Sequence, residues 1–351
     1  MPQGPCPRPE TMAMRERGWR MLVGASAVLL ACTAVAAGAF TVDQVTADIN
    51  LPPDAAARLR QGEMVSSTPA ESSDRELGVG LTFLVEQPLP EVVKAFRTAV
   101  DLQADPHLYG SVEIHGPGTL ADFSGLVLDP NGAAEADRYL AASPGDTLNL
   151  SADEIQAFHA LAAAGDGAKP QVEAELRRLL LGRYQAYLKR GLDGMAPYQR
   201  RNGSFDAAAE LRHATDVAQL LRQRAPALHL LLFSYPEGKP AGLDEHFYWL
   251  RYDLDDRPNY TLRHRLGMPV GEIFATADRE FYVSHGSNTS QAFAGLVPVP
   301  EGTLVVYQSR VSTDQLAGFG TGIKKGIGRG VMAKQLTEIF ERSRDSFQRH
   351  H

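Results

Sequence analysis

The sequence predicts an α+β protein: an antiparallel sheet packed against a long C-terminal helix, with a helical section inserted ahead of the sheet. Three observations predict it. From Leu228 to Ser312 apolar and polar residues alternate with period two, in runs parted by turn chemistry at Pro236-Glu237-Gly238, Asp256-Arg257-Pro258 and Pro300-Glu301-Gly302. From Ser151 to Ala225 the spacing of apolar residues is three and four. After the last alternating run, Ile323, Ile327, Val331, Leu336, Ile339 and Phe340 suit one face of a closing helix.

Residues 1–39 are read as a signal peptide and set aside. Arg15, Arg17 and Arg20 precede the apolar run "MLVGASAVLLACTAVAAGAF", and Ala37-Gly38-Ala39 supplies a small-x-small cleavage site. Met12 and Met14 stand directly before the basic stretch and are alternative starts. Leu29-Leu30-Ala31-Cys32 loosely resembles a lipoprotein processing box, which makes Cys32 a candidate lipid anchor. The expected destination is the periplasm or cell envelope of a bacterium. Cys6 and Cys32 are the only two cysteines, and both lie in the removable segment. A chain cleaved after Ala39 has no disulfide, no thiolate nucleophile and no cysteine-ligated metal. The formal net charge is −7 and grows more negative once the basic leader is gone, which argues against a nucleic-acid partner.

Residues 40–351 are expected to form a single domain that includes the helical insertion at about 151–225. "LPPDAAARLRQGE" reads as a short helix, with Pro52 and Pro53 at its start and Gly62 at its end. "GLTFLVEQPLPEVVKAF" passes from an extended apolar run, Val79 to Val85, to helical spacing at Val92, Val93, Phe96 and Val100. Residues 102–150 are rich in Gly and Pro and support only short strands such as Phe123 to Leu128. Ser151 with Glu154 forms a capping box and opens the insertion's first helix. Its second runs through Val172, Leu176, Leu179, Leu180, Tyr184 and Tyr187, and its third extends from Ser204 to the residue before Pro226. Six strand-like runs follow, from "LHLLLFSYP" to "GTLVVYQSRVS", and the closing helix ends the chain.

The front strand and helix in "GLTFLVEQPLPEVVKAF", together with the last strand and closing helix at residues 302–342, resemble the helix-grip fold of the START and polyketide-cyclase-like superfamily. The resemblance is one of topology over about residues 77–100 and 228–345. It implies a sheet curled around the C-terminal helix with a cavity for an apolar ligand, and binding or transfer as the activity. The insertion at 151–225 departs from the simple family, which leaves the size and opening of the cavity undetermined.

Within that frame, the aromatic residues Tyr248, Trp249, Tyr252, Phe281, Phe293 and Phe319 are candidate ligand-binding residues. In "HFYWLRYDL" His246, Tyr248, Leu250 and Tyr252 share one face, and Phe247, Trp249, Arg251 and Asp253 the other. His246, His264 and His285 lie on or beside strands and are the candidates for acid/base catalysis. No HExxH motif accompanies them, so no metal site is predicted. "YVSHGSNTS" is read as turn chemistry, because no G-x-S-x-G elbow occurs. The acidic pairs Asp244-Glu245, Asp255-Asp256 and Asp278 with Glu280 are read as solvated carboxylates.

"GFGTGIKKGIGRGV", residues 318–331, fails both phosphate-binding templates. Its sixth residue is Ile323 where the Walker and dinucleotide fingerprints need glycine, and Lys325 is followed by Gly326. Gly318, Gly322, Gly326 and Gly330 recur every fourth residue instead, which would form a bare ridge open to close approach. With Lys324, Lys325 and Arg329 they define an expected movable rim that could face an anionic head group or membrane surface. The expected function is binding or transfer of a small lipid-like molecule, apolar or amphipathic, with no cofactor. The alternatives are a cavity enzyme, cyclase or hydrolase, using histidine acid/base chemistry, and an assembly or interaction protein of the cell envelope.

Overall fold

The chain enters through helices α1 (Val42–Asp48) and α2 (Ala55–Arg60) and a short strand, β1 (Val65–Ser67). Thr41 and Gln44 cap α1 reciprocally, each side chain accepting from the other's backbone N–H. β2 (Glu76–Val85) is buried along its whole length. Pro88 and Pro90 then turn the chain into α3 (Leu89–Arg97), where a proline in the first turn costs no hydrogen bond. α4 (Val100–Ala104), β3 (Leu108–Ile114) and α5 (Gly132–Leu140) complete the stretch before the insertion.

The computed structural model describes residues 40–129, 131–145, 147–162, 168–254, 256–316, 318 and 320–349. All of them fall within one compact unit, Ala39–His351. Residues 1–39, where the signal peptide and Cys32 anchor are expected, and Phe319 lie outside the described residues.

The insertion starts as the capping box predicts: α6 (Ala152–Leu161) is closed by Ser151 and Glu154, and α7 (Ala168–Arg190) follows. A small hairpin, β4 (Tyr198–Arg200) and β5 (Gly203–Phe205), comes next. The third helix does not run unbroken from Ser204. Ser204 belongs to β5, Asp206 caps α8 (Ala207–Asp216), and the chain breaks before α9 (Gln219–Arg224).

"LHLLLFSYP" is a helix, not a strand: α10 spans Pro226–Ser234. Pro226 sits in its first turn, and Leu228, Leu231 and Leu232 are buried while Leu230 is exposed. That is helical spacing hidden inside a nearly continuous leucine run. The expected strand at Phe123 to Leu128 is also absent; a 3-10 turn, Leu120–Phe123, leads into loop, and Phe123, Leu126 and Leu128 plug the core beneath the insertion.

The meander follows as β6 (Asp244–Leu254), β7 (Arg257–Val270), β8 (Ile273–Val283), β9 (Thr289–Val299) and β10 (Gly302–Ser312). Among the described residues the main sheet is eight-stranded, curved and open, in the order β1-β2-β10-β9-β8-β7-β6-β3, with every neighbour antiparallel. β2 therefore joins the far side of β10. The long helix α11 (Thr321–Arg349) closes the chain.

Alternation divides the strands' side chains between two faces. On the back, the insertion packs on β6 to β8; Tyr187 of α7 stacks on Phe281 with ring centroids 4.0 Å apart. α1 and α2 cover the rest of the back with Val42, Val45 and Leu59 against Leu84, Leu304 and Val306. Side chains buried this completely each contribute about 1.5–3 kcal/mol. On the front, α3, α4 and α11 cross the concave side. Phe340 of α11 packs on Phe83 and Tyr307, with centroids 4.9 and 4.8 Å away. This face is bridged by helix but not filled.

Candidate functional site

Between the front of the sheet and α11 lies a cavity of about 870 Å³. Its walls have two characters, set by which strand supplies them. β2, β10 and β9 contribute Phe83, Val85, Val305 and Leu296, and α11 faces them with Leu336, Ile339 and Phe340. β8, β7 and β6 contribute Asp278, Glu280, Arg263 and Tyr252, joined by Asp101 in the first turn of α4 and Asp105 at its C-terminus. One half is hydrocarbon and the other is charged.

The charged half is built by register. Arg263 stands opposite Glu280 and Arg265 opposite Asp278 on neighbouring strands. Arg265 has no exposed surface and makes five hydrogen bonds: to both oxygens of Asp101, both of Asp278, and the Phe96 carbonyl. These use all five guanidinium donors, so Arg265 is a rivet that holds α3 and α4 to the sheet. Burial opposes ionisation of Asp101, but the Arg265 guanidinium outweighs it and holds the carboxyl below its ordinary value.

Arg263 differs. One terminal nitrogen donates to Glu280 Oε1 at 2.6 Å and to the Tyr252 hydroxyl at 2.9 Å, while its buried Nε donates to nothing among the described residues. An unpaired buried donor costs free energy, so a cavity occupant with an acceptor atom would be favoured there. Asp105 receives the His107 backbone N–H, yet burial pushes its carboxyl up from the ordinary range. Burial also raises the Tyr252 and Tyr307 phenols.

Of the sequence-derived ligand residues, Tyr252 lines the cavity. Tyr248 shares its face but is packed with Ala99, Leu102 and Leu250 under α4. Trp249, Phe281 and Phe293 belong to the core on the back of the sheet, because odd positions on these strands face the insertion. Trp249 donates to the Asp122 carbonyl at 2.7 Å there.

The three histidines do not meet. His246 sits at the β3–β6 edge, 2.7 Å from Glu113 Oε1. His264 lies wholly buried on the back, stacked on Phe247 at 4.2 Å, with Nδ1 3.0 Å from the Tyr187 hydroxyl and Nε2 3.2 Å from Glu245. Burial lowers its pKa to about 4 despite that carboxylate. The neutral ring therefore accepts from Tyr187 and donates to Glu245, whose pKa falls to about 2: burial opposes the fall, and the bonds from His264 and Lys239 outweigh it. His285 borders the cavity and donates to the Pro258 carbonyl at 3.1 Å; burial brings it, too, to about 4. Among the described residues no cluster of His, Cys, Asp or Glu could hold a metal ion.

Two further expectations change. Asp278 and Glu280 are not solvated turn carboxylates but the ion-pair partners of Arg265 and Arg263, and Glu245 is held by Lys239 at 2.6 Å. The glycine ridge touches nothing: a Cβ added at Gly318, Gly322, Gly326 or Gly330 would meet open space, whereas at Gly328 it would lie 2.8 Å from Leu77. Gly318 precedes the helix in a left-handed conformation, φ 91°. Two basic residues of the segment are ion-paired: Glu71 binds Lys325 and Arg329, each at 2.9 Å. The cavity wall begins one turn later, at Val331.

No family model matches the chain, and no curated protein or solved structure matches it.

Proposed function

We propose that the protein binds an amphipathic small molecule between the sheet and α11, and carries or sequesters it. The observation that supports this reading is the zoning of the cavity: hydrocarbon from β2, β9, β10 and α11, charge from β6 to β8 and α4. Its volume, about 870 Å³, lies within the usual span of small-molecule sites, roughly 300–1,000 Å³. An acyl or polycyclic body would lie along Leu296 and Ile339, with a polar end that offers an acceptor to Arg263. Binding is favoured over catalysis because the cavity carboxylates Asp101, Asp278 and Glu280 are committed to arginines, and His285 is committed to a carbonyl. Asp105 and His107 also line this wall, but the hydrogen bond between them is made by the His107 backbone N–H, and among the described residues no histidine ring on the wall bonds a carboxylate as the general acid/base unit of a cyclase or hydrolase would.

The test is titration with a fluorescent acyl-chain probe. Ala292 faces the cavity from β9, and Ala292→Trp would obstruct its hydrocarbon half. Saturable binding by the wild type, at least tenfold weaker in A292W with an unchanged circular dichroism spectrum, is the expected result. A wild type that shows no saturation, or a variant that binds as well, would contradict the proposal.

A further inference from the structure

The outer face of α11 carries three large hydrophobic side chains left in solvent. Ile323, Ile327 and Val331 are 75%, 67% and 54% exposed, at i, i+4 and i+8, and so form one stripe. Gly326 and Gly330 flank it, with nothing near the position where a Cβ would stand. Lys324 and Lys334, both exposed, lie on the same side. Farther along this face the sign reverses: Glu338 and Glu341 stand four and seven residues beyond Lys334.

We infer that the first half of α11, residues 322–334, docks on an anionic lipid bilayer. The physical case rests on charge and on continuity. An apolar stripe edged by lysines is the pattern of a helix lying in the membrane interface, where apolar side chains enter the acyl boundary and ammonium groups meet lipid phosphates. Lys325 and Arg329 lie against Glu71, which fixes the helix start to the body and presents the stripe rigidly. Val331 belongs both to the exposed stripe and to the cavity wall. The stripe thus leads from the outer surface, at Ile323 and Ile327, to the hydrocarbon half of the cavity at Val331.

A second copy of the chain fits this face less well. Three side chains over about 12 Å of helix fall short of the roughly 800 Å² per partner that stable interfaces bury. A symmetric pairing would also set lysines against lysines. The docking inference does not require the cavity to be occupied, so it stands or falls separately from the binding proposal.

Amide hydrogen exchange of the full chain, read by mass spectrometry with and without phosphatidylglycerol vesicles, tests it at the right residues whatever the leader does. Exchange in peptides covering 322–334 should slow at least tenfold with these vesicles. It should slow little with phosphatidylcholine vesicles, and Ile323→Asp with Ile327→Asp should abolish the effect. Both positions are exposed, so the fold should survive the change. Unchanged exchange at 322–334 in the wild type would overturn the inference, as would equal protection by neutral vesicles. Protection that appears without lipid and grows with protein concentration would overturn it in favour of self-association.

Discussion

Arg263 and Arg265 stand two residues apart on one face of β7, yet only one has donors to spare. Arg265 spends its whole fork on Asp101, Asp278 and Phe96, whereas Arg263 keeps a buried Nε without an acceptor. The same scale sets the response to acid. His264 and His285 are held neutral by burial, with folded pKa values of about 4 against about 6.5 when unfolded. Below pH 6.5 the unfolded chain takes up protons that the folded chain refuses, so stability should fall from pH 6.5 toward pH 4 and then level. At pH 5 the loss is on the order of 2 kcal/mol per histidine. His229 acts in the same direction, while the raised carboxyl of Asp105 acts against it. Urea unfolding at pH 7.5 and pH 5 checks the sign: the midpoint should be lower at pH 5, and His264→Gln should shrink the difference. Equal midpoints would show that these rings are not buried as neutral groups.

At the scale of elements, α11 is a helix that its own sequence weakens and its contacts restore. Gly322, Gly326, Gly328 and Gly330 each cost about 0.5–1 kcal/mol relative to alanine, and Glu71 and Leu77 hold the segment in place. Gly326→Ala and Gly330→Ala, which meet open space, should therefore raise stability by roughly that amount each. Gly328→Ala should gain less, because its Cβ would crowd Leu77. Denaturant midpoints order the three variants, and a gain at Gly328 as large as at Gly326 would show that the Leu77 contact is loose.

The same elements show what could be read before folding. Strand alternation, the Ser151 capping box and the closing helix follow from local chemistry, and all were legible. α10 was not, since a run of leucines satisfies strand and helix periods alike and only Pro226 distinguishes them. The site was less legible than the fold. Which parity of each strand faces the cavity depends on what covers the other side, and the insertion claims Trp249, Phe281 and Phe293 for its own core. The Arg263–Glu280 and Arg265–Asp278 pairs depend on a register displaced by a bulge near Leu262, which no local spacing announces.

For the whole molecule, the insertion and the N-terminal helices bury most of the back of the sheet, where a cavity of about 100 Å³ remains beside Val45, Leu220 and Phe293, so the larger volume, about 870 Å³, is on the front. Strand order then separates hydrocarbon from charge across that volume. The measurement that tests this most directly is photocrosslinking with a fatty acid bearing a diazirine near the chain end, followed by peptide mapping. The account predicts saturable labelling of β9, β10 and α11 peptides containing Leu296, Val305, Leu336 or Ile339, lost in A292W. Labelling confined to the exposed Ile323–Ile327 stripe, or to the back of the sheet, would contradict it.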